Sequence, residues 1–96
     1  MDNMTDKRDA AIRQAVEETL QPARIRRVTV KEDVGHDGDP IYRIFIILDR
    51  DEEELDTRKT IRLWEAVLDA LEKGGYEVRF PVFTFMTPSE AKNEAA

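Results

Sequence analysis

Ile41-Tyr42-Arg43-Ile44-Phe45-Ile46-Ile47-Leu48 leaves only Arg43 polar. A strand that is apolar on both faces lies in the middle of a sheet, with neighbours on each side and helices above it. The turn Asp37-Gly38-Asp39-Pro40 precedes it, and the acidic run Asp49–Asp56 follows it. The rest of the chain is therefore read for what would surround this strand.

Upstream, Thr5–Leu20 predicts an amphipathic helix. Ile12, Val16 and Leu20 form its apolar stripe, Thr5 is the expected N-cap, and Pro22 ends it. Arg24–Lys31 then alternates, with Val28 and Val30 on one face and Arg27, Thr29 and Lys31 on the other. Gly35, Gly38 and Pro40 punctuate the connection to Ile41–Leu48, which predicts an antiparallel hairpin with a long, mobile loop.

Downstream, Asp56 is the expected N-cap of a second helix that carries Ile61, Trp64, Leu68 and Leu71 and stops at Gly74-Gly75. Tyr76–Phe85 predicts a third strand. Pro81, which lacks a donor, places that strand at an edge or a bulge. Thr87-Pro88-Ser89-Glu90 has capping-box spacing, which predicts a short terminal helical turn. The result is a single α+β domain over residues 1–96, with 1–4 and 90–96 frayed. Its order is α-β-β-α-β, with a three-stranded mixed sheet of spatial order 1-2-3 and two helices on one face. A right-handed crossover makes the last two strands parallel. The expected core is Ile12, Val16, Leu20, Val28, Val30, Ile44, Ile46, Ile61, Trp64, Leu68, Leu71, Val78 and Phe80, anchored by Trp64.

The 96 residues contain no cysteine, so disulfides, thiolate metal sites and cysteine nucleophiles are excluded. Met1–Ala11 shows no apolar signal region and no stretch is long enough to span a bilayer, so a cytoplasmic location is expected. The net charge of −6 argues against general nucleic-acid affinity. That charge is concentrated: residues 32–56 carry two basic and ten acidic side chains.

Two acidic clusters are candidates for chemistry. Asp33, His36, Asp37 and Asp39 could in principle ligate a divalent ion, but Asp and Gly are also ordinary turn formers. Asp49, Asp51, Glu52, Glu53, Glu54 and Asp56 alternate like a calcium loop, yet Glu54 stands where such a loop needs glycine. A strand of eight residues separates the clusters by more than ~20 Å, too far for a shared centre. No phosphate loop, dinucleotide fingerprint or zinc-protease pair is present. The reading is of a non-catalytic protein that needs no metal or cofactor.

Two helices cover one face of such a sheet and leave the other open. Alternation assigns Arg27, Thr29, Lys31, Arg43, Phe45, Ile47, Glu77, Arg79, Phe83 and Phe85 to the open face. Arg and aromatic side chains are enriched at interface hot spots. The expected interface is therefore Arg27, Arg43, Phe45, Ile47, Arg79, Phe83 and Phe85, serving a homodimer or a protein partner. Single-stranded RNA stacked on the same aromatics is one alternative; the C-terminal tail or the hairpin loop folded over the patch, with nothing bound, is another. The element order resembles KH-like ribosome-associated domains in outline, but their Gly-x-x-Gly loop is missing and their RNA-binding role is not carried over. His36-Asp37-Gly38-Asp39-Pro40 followed by Leu48-Asp49 resembles a pattern in small bacterial α+β proteins. That resemblance implies no activity and fits partner binding, including by an acidic antitoxin-like neutraliser.

Overall fold

The apolar stretch becomes β2 (Pro40–Leu48), the central strand of a three-stranded sheet. The computed structural model describes residues 3–95, in the order α1 (Asn3–Leu20), β1 (Ile25–Val34), β2, α2 (Thr57–Gly74), β3 (Phe80–Met86) and α3 (Pro88–Ala95). β1 pairs antiparallel with β2, and β3 pairs parallel with it on the other side. The expected α+β architecture and strand order are found. Proline-bearing β3 lies at an edge, where a missing donor is tolerated.

The core sits between one face of the sheet and the two long helices. Tyr42, Ile44, Ile46 and Leu48 of β2 meet Ile12, Val16 and Leu20 of α1 and Leu63, Val67 and Leu71 of α2. Val28 and Val30 of β1 pack against this cluster and are half-buried.

The helix ends are chemically specified. Asp56 caps α2 by accepting the Arg58 backbone N–H at 2.9 Å. At the other end the Gly75 N–H reaches the Glu72 carbonyl (3.1 Å) and the Tyr76 N–H reaches the Leu71 carbonyl (3.0 Å), a Schellman closure. Gly75 adopts φ 72°, which favours glycine, whereas at Gly74 the Tyr76 ring occupies the space a Cβ would take. A Cβ on Gly74 would stand 2.1 Å from Cε2 of the Tyr76 ring. Thr87 and Glu90 form the reciprocal capping box that opens α3: Thr87 N–H donates to Glu90 Oε1 (2.9 Å), and Glu90 N–H donates to Thr87 Oγ1 (3.2 Å).

Several expectations are corrected. α1 begins by Asn3, so Thr5 lies inside the helix and is not its cap. β1 continues to Val34, which shortens the hairpin loop to residues 35–39. Bonds from Gly35 N–H to the Asp39 carbonyl (2.8 Å) and from Gly38 N–H to the Gly35 carbonyl (3.0 Å) close it. β3 starts at Phe80, not Tyr76, and α3 is a helix of eight residues, not a single turn. Of the segments expected to fray, 1, 2 and 96 lie outside the described residues; 3–4 belong to α1 and 90–95 to α3.

The largest correction is rotational. Ile61 (73 % exposed), Trp64 (45 %), Val78 (47 %) and Phe80 (56 %) are not core residues, and Leu68 is only half-buried. On α2 the fully buried residues are Leu63 and Val67, beside Leu71, in place of the expected Ile61 and Trp64. Ile41, Tyr42 and Leu48 also join the buried set.

Candidate interaction surface

Several of the acidic candidates hold local structure together. Asp51 accepts the Ser89 N–H (3.0 Å) and hydroxyl (2.5 Å) at the start of α3. These bonds hold its carboxyl below the usual carboxylate range. Glu53 is likewise held down, by the Arg24 N–H at 3.0 Å and then by Arg50 at 3.3 Å. Asp49 joins the ends of the hairpin: its N–H donates to the Arg24 carbonyl (3.0 Å), and its own carbonyl accepts Arg26 Nη2 (2.9 Å). In the other cluster, Asp33 pairs with Arg43 (2.5 Å) and accepts the Val34 N–H (2.7 Å), and both bonds depress its pKa. Asp37 accepts the Asp39 N–H within the loop. Among the described residues, no three His, Cys, Asp or Glu side chains converge as a metal-binding group.

A second polar assembly brings together four separate stretches of chain. The Tyr42 ring has Arg8 4.9 Å and Arg79 5.3 Å from its centroid, and its hydroxyl donates to the Glu77 carbonyl at 2.8 Å. Glu32 bridges the guanidiniums, 3.3 Å from Arg8 and 3.2 Å from Arg79. Asp9 and Glu77 supply a further carboxylate to each. Burial pushes the Tyr42 hydroxyl upward against the pull of both arginines. Burial also opposes the charge on Arg8, but its bonds to Asp9 and Glu32 outweigh that and raise its pKa. Every cation here has its counter-ion, so the assembly works as a clamp of α1, β1 and β2 onto the segment before β3. Nothing local in the sequence could have revealed it.

The open sheet face retains only part of the expected interface. Arg27, Arg43, Phe45 and Ile47 do share that face: Arg27 pairs with Ile47, Thr29 with Phe45 and Lys31 with Arg43. The β3 residues beside them are Val82, Thr84 and Met86. Phe83 and Phe85 align with Ile44 and Ile46 and pack against the core, on the opposite face from the one assigned. Arg79 precedes β3 and belongs to the Tyr42 assembly. Phe45 and Ile47 are half-buried, and Lys31 Nζ stands 5.6 Å from the Phe45 ring centroid. α3 leans over one end, where Phe45, Thr84 and Met86 with Glu90 and Asn93 line a cleft of about 580 Å³. This face therefore has fewer aromatic and fewer charged groups than its sequence implied, and α3 covers one end of it.

The exposed apolar surface lies around the corner, on the flank of α2 and the β3 edge. The rings of Trp64 and Phe80 meet with centroids 5.6 Å apart at a 57° tilt, a favourable aromatic geometry. Ile61, three residues before Trp64, continues this stripe along the helix. The opposite flank of α2, carrying Ala66, Asp69 and Ala70, faces α1. The apolar flank thus points away from α1 and past the last strand of the sheet. A signal for it exists in the sequence: α2 carries more apolar residues than one buried stripe can use.

Comparison with protein-family models, with curated proteins and with solved structures finds no match.

Proposed function

We propose that this chain is a non-catalytic protein-binding module whose contact surface is the α2–β3 flank. The observation that carries this reading is the exposure of Ile61 and Trp64 on α2 and of Phe80 at the start of β3, with the Trp64 and Phe80 rings in contact. Clustered exposed aromatic and aliphatic groups mark interaction sites far more often than scattered ones do. Tryptophan in particular combines a large apolar area with few rotors to immobilise, which makes it a frequent hot-spot residue. The structural employment of the Asp33, Asp51, Glu53 and Asp56 carboxylates supports binding over catalysis. The Arg-containing open face then serves as a secondary, polar surface.

Photo-crosslinking from defined positions tests this reading. A benzophenone amino acid replacing Ile61 should yield a covalent adduct with a polypeptide in living cells. The same probe replacing Arg13, exposed on α1, should not. No adduct from position 61, or equal adducts from both positions, refutes the reading.

A further inference from the structure

We infer that the partner seated on the α2–β3 flank is a second copy of this chain, related by a two-fold axis that sets the two α2 helices antiparallel and their β3 edges side by side. This inference rests on the reading of that flank as a protein-binding surface.

The two edges of the sheet are built differently. β1 carries Arg26, Arg27, Lys31, Glu32 and Asp33, and charged side chains of this kind prevent edge-to-edge association. β3, Phe80-Pro81-Val82-Phe83-Thr84-Phe85-Met86, carries no charge at all. Only Pro81 interrupts its run of backbone donors. An apolar edge strand beneath an overhanging apolar helix flank matches the position of a further layer of protein.

The sequence along that flank specifies which protein. Arg58, Ile61, Trp64, Leu68 and Glu72 follow one another at intervals of three or four residues, and so lie along one side of α2. The order is basic, aliphatic, aromatic, aliphatic, acidic, which is complementary to its own reverse. An antiparallel copy centred near Trp64 sets Ile61 against Leu68 of the second copy and Arg58 against Glu72 of the second copy. Both contacts occur twice, as an isologous interface requires. Trp64 then packs at the axis, where interface hot spots concentrate. A two-fold axis normal to the sheet keeps both α2 helices on one side and continues each sheet into the other through β3. A stable interface of about 800 Å² per partner takes roughly an eighth of this chain's 6627 Å² surface.

Sedimentation equilibrium with a charge exchange decides the matter. The Arg58 side chain is 88 % exposed, so Arg58→Glu leaves the fold intact while placing like charges opposite each other twice. The native chain should be a reversible dimer at about 100 µM, and Arg58→Glu should weaken it by roughly tenfold or more. The double variant Arg58→Glu/Glu72→Arg should restore the native affinity to within about threefold. A monomeric native chain, a dimer indifferent to Arg58→Glu, or failure of the double variant to rescue overturns this inference. If the native chain is monomeric while position 61 still crosslinks to another polypeptide, the self-association fails and the binding surface stands. If position 61 forms no adduct, both fall.

Discussion

Replacing Leu63 and Ile61 separately by alanine is the sharpest probe of how α2 is seated. Leu63 is fully buried among Val67, Leu71, Tyr42 and Ile44. Removing three carbons forfeits about 2.4 kcal/mol of transfer free energy, and the cavity left behind raises the total to about 3–4 kcal/mol. Ile61 is 73 % exposed, so only about a quarter of the same transfer term is at stake. The higher helix propensity of alanine returns ~0.4 kcal/mol, which brings Ile61→Ala close to neutral. Trp64 lies between, because roughly half of its ~200 Å² is covered, and Trp64→Ala should lose about 2 kcal/mol. Urea denaturation at concentrations dilute enough to keep the chain monomeric reads all three. With a slope of about 1.2 kcal/mol per molar, Leu63→Ala should lower the midpoint by about 2.5–3.3 M and Ile61→Ala by less than about 0.5 M. An Ile61→Ala chain less stable than Leu63→Ala would mean that the Ile61–Trp64–Leu68 stripe faces the core, and the flank would lose its exposed surface.

Gly75→Ala forces a left-handed φ on an L-residue and should cost about 1 kcal/mol, whereas Gly74→Ala should cost more because the Tyr76 ring must move; thermal denaturation ranks them. The folded-state pKa values of Asp33, Asp51 and Glu53 are depressed, so the stability they confer is present above about pH 4 and is lost as the pH falls through those lowered values. An acid titration of Asp51→Asn should show a flatter loss of stability, and amide chemical shifts of 89–93 should move toward random coil at neutral pH as α3 loses its contact with Asp51. Tyr42→Phe removes the bond to the Glu77 carbonyl and should cost about 1 kcal/mol in urea; an unchanged midpoint would show that the hydroxyl is solvated in the native state.

What the sequence disclosed, and what it did not, follows from how each signal is encoded. β2 declared itself because only a central strand is apolar on both faces. Both ends of α2 and the start of α3 were legible because Asp56, Thr87, Glu90 and Gly75 act on backbone within a few residues of themselves. The seating of α2 was not legible. Ile61, Trp64, Leu68 and Leu71 form one helical stripe, and Leu63, Val67 and Leu71 form another beside it, so spacing alone does not say which half meets the sheet. β3 failed through parity. Counting alternation from Val78 across Pro81 put Phe83 and Phe85 on the open face, but the register with Ile44 and Ile46 turns them inward. A shift of one residue exchanges every side chain between faces. The Tyr42 assembly was hidden for a different reason, since Arg8, Glu32, Tyr42 and Arg79 meet only after the chain has folded. The parity of β3 emptied the sheet face of Phe83 and Phe85, and the seating of α2 left Ile61 and Trp64 outside, so the candidate interface moved to the helix flank.

Trp64 is the chain's only tryptophan, so its fluorescence reports directly on the proposed contact surface. The decisive measurement is acrylamide quenching of that emission across a dilution series from the dimer into the monomer. Emission should be red-shifted and readily quenched in the dilute monomer, then shift to the blue and become protected as the flank is covered in the associated state. An indole already blue-shifted and protected in the dilute monomer would contradict the account, because the α2–β3 flank would then be covered by the chain itself.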